Sequence, residues 1–236
     1  DGSTEWLGTT PEGGEEVEGF DLRGAAIGSE GMFGIITRVL VRLIKKPTSF
    51  KTYLGIFDSV DAASQTVSDI IAAGIIPAAL EMMDQLITNA VEEAYHFGFP
   101  LDAGAILIVE LDGLTDGIEG QGQIVETICK NNKSREVRVA KDEEERAAIW
   151  KCRKRAFGAV GRISPNYLTQ DGVVPRSKVP EIMRFIKATS EKYNLRIPNV
   201  FHAGDGNIHP LILFDERKDG EVKQALRAGE DILNKC

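Results

Sequence analysis

The sequence predicts an α+β fold, an antiparallel sheet covered on one face by helices, built from a ferredoxin-like alternation of strand and helix. Two observations predict it. From residue 48 onward, segments with a two-residue apolar period alternate with segments of a roughly 3.6-residue period. The strand candidates also carry charges between their apolar residues, as half-solvated antiparallel strands do and fully buried parallel strands do not.

The first 47 residues read as turns and strands and form one unit; residues 48–236 form a second. Within the first, "GIITRVLVRLI" puts Arg38 and Arg42 on the opposite parity from Val39 and Val41, the pattern of a half-buried strand ended by Lys45, Lys46 and Pro47. In the second, "KTYLGIFDSV" predicts a strand. "DAASQTVSDIIAAG" predicts a helix opened by Asp61 and closed by Gly74. "AALEMMDQLITNAVEEAYHFG" predicts a helix from Met83, Leu86, Ile87, Ala90 and Val91. "AGAILIVELDG" is the clearest strand, followed by a glycine-weakened helix over 116–131 and the alternating strand "SREVRVAK". "DEEERAAIWKCRKRAFGAVGR" predicts a long helix whose acidic first turn suits the helix dipole. A strand in "YLTQDGVVP", a helix in "VPEIMRFIKATSEKYN", two strands around a turn in "NVFHAGDGNIHPLILF" and a last helix in "DGEVKQALRAGEDILNKC" complete the chain.

Composition narrows the function by exclusion. With 28 basic and 36 acidic residues the formal charge is -8, and no sustained Lys/Arg run exists. Nucleic acid and anionic lipid need positive charge to displace counterions, so neither is an expected partner. No stretch reaches the ~20 apolar residues of a membrane span. Cys129, Cys152 and Cys236 are an odd number with no CxxC pair, which argues against a disulfide framework or thiolate zinc site and fits a cytoplasmic setting. The chain lacks an initiator Met and a signal-peptide pattern, and reads as beginning in mid-domain.

Three stretches could carry chemistry. "FHAGDGNIHP" holds His202 and His209, two of the chain's three histidines, on either side of a turn that contains Asp205 and Asn207. Imidazoles converging from flanking strands suit a divalent metal (Zn, Mn or Fe), with an oxygen from Asp205 or Asn207 as ligand or orienting group. A hairpin whose histidines merely satisfy backbone groups is the alternative. In "AAIWKCRKRAFGAVGR", helical spacing puts Trp150, Arg153, Lys154 and Phe157 on one face, where Arg153 either clamps a carboxylate or belongs to a solvated basic face. "DLRGAAIGSEGMFGIIT", with glycines at 24, 28, 31 and 34, permits close backbone approach to a phosphate or flat cofactor, yet matches neither GxGxxG nor a P-loop.

Taken together, "GFDLRGAAIGSEGMFGIITRV", "PAALEMMD", "WKCRKRAFGAVGRISPNYLTQDGVVPRSKVPE" and "HAGDGNIHP" resemble the flavin-linked oxidases of the vanillyl-alcohol-oxidase (p-cresol methylhydroxylase) superfamily, in the branch that acts on glycolate and D-lactate. The resemblance implies a protein with an FAD-binding domain and a cap that encloses the substrate. Residues 1–47 correspond to the end of the FAD-binding domain, with Gly28, Ser29, Glu30, Gly31, Gly34, Ile35, Ile36 and Thr37 along the cofactor. Residues 48–236 correspond to the cap, cut before a further Gly-Glu-His-Gly motif of relatives. The resemblance makes His202 and His209 metal ligands or base, places Asn207 nearby, and makes Arg153 the grip on the substrate carboxylate. Phe157 and Thr169 stand where relatives specific for dicarboxylates carry Thr and Lys, which implies a small monocarboxylate.

The implied reaction is FAD-dependent oxidation of a small 2-hydroxy acid to the 2-oxo acid, with partner subunits of an oxidase complex and a cytoplasmic or membrane-peripheral location. The competing readings are a flavin-free metal-dependent hydrolase on the two histidines and a non-catalytic small-acid-binding module or sensor that relies on Arg153.

Overall fold

The structure, a computed structural model, describes residues 2–8, 19–43 and 45–236. It divides into two compact units, Asp1–Lys46 and Pro47–Cys236. In the first, helix α1 (Leu22–Ala26) is held at its start by Asp21, whose side chain accepts from the Gly24 amide at 2.8 Å. The strand expected from Ile35 does not form. Among the described residues of this unit there is no strand to pair with it, and Ile35, Val39 and Leu43 stand 92%, 70% and 87% exposed. An alternating sequence supplies the faces of a strand, but the ladder needs a neighbour.

The second unit begins with strand β1 (Ser49–Phe57), helix α2 (Val60–Ala72), strand β2 (Ala79–Asp84), helix α3 (Gln85–Tyr95), strand β3 (Ala105–Gly113), helix α4 (Thr115–Asn131) and strand β4 (Glu136–Val139). These four strands lie in the order β4-β1-β3-β2, all neighbours antiparallel. That is the ferredoxin-like order, with α3 inserted between β2 and β3.

Helix α5 (Glu143–Val160) follows, then β5 (Asn166–Thr169), β6 (Gly172–Val173), α6 (Val179–Tyr193), β7 (Val200–His202), β8 (Asn207–Ile208), β9 (Leu211–Phe214) and α7 (Glu221–Lys235). Strands β7, β8 and β6 extend the sheet beyond β2, while β5 and β9 pair separately. The breaks at Gln170–Asp171 and at His209–Pro210 send what had read as continuous strands into different sheets.

Helices cover the antiparallel sheet as expected, but on both faces rather than one. Leu107, Val109 and Leu111 of β3 pack with α2, α4, α6 and α7, whereas Ile106 and Ile108 pack with α3 and α5. Adjacent strand residues point to opposite faces. The run Ala105–Leu111 is therefore buried on both, apart from the charge carried by Glu110.

Two local boundaries differ from the periodicity. Ser59 rather than Asp61 caps α2, its side chain accepting from the Ala62 amide. The segment 79–84, expected as the first turns of a helix, is a strand clasped between β3 and β7; Asp84 ends it and caps α3 by accepting from the Ile87 amide at 3.0 Å. Burial pushes the Asp84 carboxyl up to about 6, against hydrogen bonds from the amides of Ile87 and Asn199 and from the Asn199 side chain.

Candidate functional site

The site is built where β2, β7 and α5 meet. Leu80 and Met82 of β2 enter the core beneath α2 and α6, which by strand alternation turns Glu81 toward the layer of α5. Glu81 lies directly opposite His202 of β7 in the antiparallel register. Such cross-strand neighbours are close enough for side chains to bond. His202 Nδ1 sits 2.7 Å from Glu81 Oε1, and Arg153 Nε donates to Glu81 Oε2 at 2.8 Å. Glu81 and Arg153 are only 6% and 7% exposed, so this is a buried ion pair with an imidazole attached.

A carboxylate only accepts, so His202 Nδ1 carries a proton toward Glu81. The second imidazole, His209, stands with its ring centroid 5.3 Å from that of His202 at 87°. Burial lowers its pKa below the ordinary histidine value; Asp171, 3.5 Å from Nδ1, raises it by less, and His202 and Arg153 push it further down. The His209 ring is neutral at pH 7. Phe157, one turn after Arg153 on α5, closes the far side, its ring 6.3 Å from His209.

The turn between the histidines is held from both sides. Gly206 has φ +75°, and a Cβ there would lie 2.1 Å from the Val174 carbonyl oxygen, so only glycine fits. The Val174 amide donates to the Gly206 carbonyl at 2.9 Å, and the Gly204 amide donates to Leu80 at 3.0 Å. Asn207 lies in register with His202, and its buried Oδ1 has no hydrogen-bond partner among the described residues.

The predicted residues thus divide. His202, His209 and Arg153 converge, but the carboxylate that Arg153 clamps is the protein's own Glu81. The expected metal centre keeps its two imidazoles and lacks a third donor: among the described residues no group of three His, Cys, Asp or Glu side chains gathers as a metal would require. Of the helical face, Arg153 and Phe157 reach the site, Trp150 donates instead to Glu110 at 2.5 Å, and Lys154 is exposed. Gly28, Glu30, Gly31, Gly34, Ile35, Ile36 and Thr37 form exposed backbone in the first unit, with Ser29 half-buried.

Sequence reasoning missed Glu81 and Glu110. Each is a lone acid inside an apolar strand, "ALEMMD" and "AILIVELDG", and each is met by an arginine of α5. Burial raises the Glu110 carboxyl, but hydrogen bonds from Arg146, Trp150 and Thr52 outweigh it and hold the group below the usual glutamate range. An isolated charge in a run destined for burial was the available signal.

Comparison with known proteins decides the family. The profile of the family described as FAD linked oxidases, C-terminal domain, matches residues 46–236. The chain belongs to this family. Among its relatives, the FAD-linked oxidase domain is 49% identical over 218 residues to glycolate oxidase subunit GlcD of Escherichia coli K12, covering 92% of this chain and 44% of that protein. It is 39% identical to GlcD of Bacillus subtilis, over 94% of this chain and 47% of that protein, and 32% identical to a probable mitochondrial D-lactate dehydrogenase of Danio rerio, over 87% and 41%. The chain spans less than half the length of these relatives. Solved structures share the fold: an alkyldihydroxyacetonephosphate synthase at TM-score 0.64 and 16% identity, over 96% of this chain and 46% of that one, and a substrate-bound p-cresol methylhydroxylase at 0.59 and 16%, over 80% and 43%. Among the described residues, no helix of the FAD-linked oxidase domain is long and apolar enough to cross a membrane.

Proposed function

We propose that the full-length protein oxidises a small 2-hydroxy acid, glycolate or D-lactate, to the 2-oxo acid with FAD, and that residues 48–236 are the cap that carries the acid–base groups. The observation that carries this reading is the pair of imidazoles, 5.3 Å apart, one of them, His202, held by the buried Glu81–Arg153 pair, in a chain of the FAD-linked oxidase family.

The segment from Gly28 to Thr37 suits the cofactor. A Cβ built at Gly28 or Gly34 meets nothing within 4 Å, and Ile27, Met32, Phe33, Ile35 and Ile36 are 64–92% exposed, an open apolar backbone against which a flat ring system fits. These residues, at the end of an FAD-binding domain in residues 1–47, would hold the flavin, which supplies the hydride-accepting chemistry when bound. Among the described residues His202 and His209 are the two imidazoles that would hold a divalent metal, no third His, Cys, Asp or Glu joins them, and no step is assigned to it.

The protein's own part is proton handling. Arg153 neutralises Glu81, and Glu81 fixes the His202 tautomer, so that Nε2 can accept a hydrogen bond or proton. His209, neutral and close by, is the second acceptor for the hydroxyl proton of the substrate. Arg153 is therefore a positioning residue. Phe157 limits the space beside His209 and favours a small acid. Relatives named as subunits of glycolate oxidase support partner subunits for this chain.

The test is the visible spectrum of the full-length protein. A yellow enzyme bleached anaerobically by glycolate or D-lactate supports the reading; a colourless protein, or a flavin untouched by any 2-hydroxy acid, contradicts it.

A further inference from the structure

We propose that Asp84, acting through Asn199, is a positioning residue for both imidazoles, an inference that rests on the reading above and extends it to the far end of β2. Asp84 closes β2 three residues after Glu81, and Asn199 stands three residues before His202, at the entry to β7. The register Glu81↔His202, Met82↔Phe201, Met83↔Val200 continues one step further, but by a different bond. The Asp84 amide donates to the Asn199 carbonyl at 3.0 Å, and the Asn199 amide donates in return to Asp84 Oδ2 at 2.7 Å. A side chain thus stands in for a backbone carbonyl. Asn199 Nδ2 adds a second bond to the same oxygen at 2.9 Å.

Asn199 holds the second histidine as well. It forms an isolated bridge with Pro210, the residue after His209, and beside it the Leu211 amide donates to the Pro198 carbonyl at 2.9 Å. One carboxylate therefore anchors, through one asparagine, the two backbones from which His202 and His209 project. The 5.3 Å between their rings depends on that anchor.

Capping a helix does not by itself explain the acid. Asp84 Oδ1 accepts from the Ile87 amide at the start of α3, a task that serine or asparagine performs equally well. Both oxygens, however, face N–H groups, those of Ile87 and of Asn199. An asparagine would set its own N–H against one of them, and a serine supplies one oxygen where two are used. The acid stays although burial pushes its carboxyl up to about 6. Asn199 shows the same priority: its Nδ2 bonds Asp84 and the Ile197 carbonyl, while its buried Oδ1 has no partner among the described residues.

Full-length, flavin-loaded protein carrying Asp84→Ser or Asn199→Ala provides the test. Asp84→Ser keeps the cap of α3 and loses the bonds to Asn199. Asn199→Ala keeps the cap and the acid, loses the Nδ2 bond, and decides the matter if Asp84→Ser does not fold. Val125→Ala, a buried change on α4 away from this clamp, is the control for lost stability alone. Because a displacement of about 1 Å can cost ~100-fold, kcat is expected to fall about 10- to 100-fold in Asp84→Ser and at least about 3-fold in Asn199→Ala, with KM within about 3-fold and the flavin absorbance retained. A kcat in either folded variant within about 2-fold of the Val125→Ala control overturns the assignment. NMR of protein with 15N-labelled histidine separates this idea from the reading it rests on. The Nδ1 proton that His202 directs to Glu81, identified by its loss in His202→Gln, is expected to exchange faster with water in both variants. That result upholds the role of Asp84 even where no 2-hydroxy acid bleaches the flavin; an Nδ1 proton unchanged in both variants overturns it.

Discussion

Replacing Glu81 by Gln isolates the central electrostatic feature of the site. The change is nearly isosteric, but it leaves the Arg153 guanidinium, only 7% exposed, without its counter-charge and offers His202 Nδ1 a weaker acceptor. Breaking one side of a buried pair costs about 3–5 kcal/mol, because the surviving charge stays desolvated. For a domain of this size each kcal/mol moves Tm by roughly 2–4 °C, so the expected loss is about 6–20 °C. Urea unfolding or calorimetry of this chain reads it. Because the cost arises from an orphaned charge, Glu81→Leu combined with Arg153→Met is expected to be less destabilised than either single change. A loss below about 1 kcal/mol for Glu81→Gln, or strictly additive losses in the double variant, would refute the argument.

The remaining predictions address the turn, the buried histidine and the thiols. Gly206→Ala places a Cβ 2.1 Å from the Val174 carbonyl oxygen at φ +75°, and is expected to cost about 2–4 kcal/mol in a denaturant titration and to lower activity by displacing the histidines. His209 binds its proton less readily in the fold than in the unfolded chain, where its pKa is near 6.5, so stability is fully present above that value and falls as pH drops below it. His209→Gln should flatten that acidic limb in unfolding midpoints measured from pH 7 to 5. Burial pushes the thiols of Cys129 and Cys152, both buried residues, up to about 12; it raises the Cys236 thiol too, but that residue is exposed to the reagent. Iodoacetamide at pH 8 should therefore add one label to the native chain and three after unfolding, counted by mass spectrometry.

Much of the fold was legible where one physical signal dominated. The alternating, charge-bearing strands announced an antiparallel sheet, and Asp142 with Glu143–Glu145 marked the start of α5. The misread segment 79–84 shows the limit. Met83 falls in helical phase with Leu86 and Ile87, but β2 gains ladders on both sides from β3 and β7, a long-range gain that no local period records. Residues 35–43 show the converse, an alternation without a partner strand among the described residues of its unit.

At the site, the histidines were conspicuous through rarity and glycine context, whereas the helical spacing left Arg153 open between a carboxylate clamp and a solvated basic face, and only the family resemblance singled it out. Glu81 was not read as chemistry because its partners lie 72 and 121 residues away.

The most direct measurement is the rate of anaerobic flavin bleaching by glycolate or D-lactate in the full-length protein, with and without His202→Ala and His209→Ala together. The account predicts that the double variant keeps its flavin absorbance and loses bleaching by at least about 100-fold, since general acid–base catalysis contributes about 10²–10⁴-fold. Bleaching at the wild-type rate in that variant would contradict it.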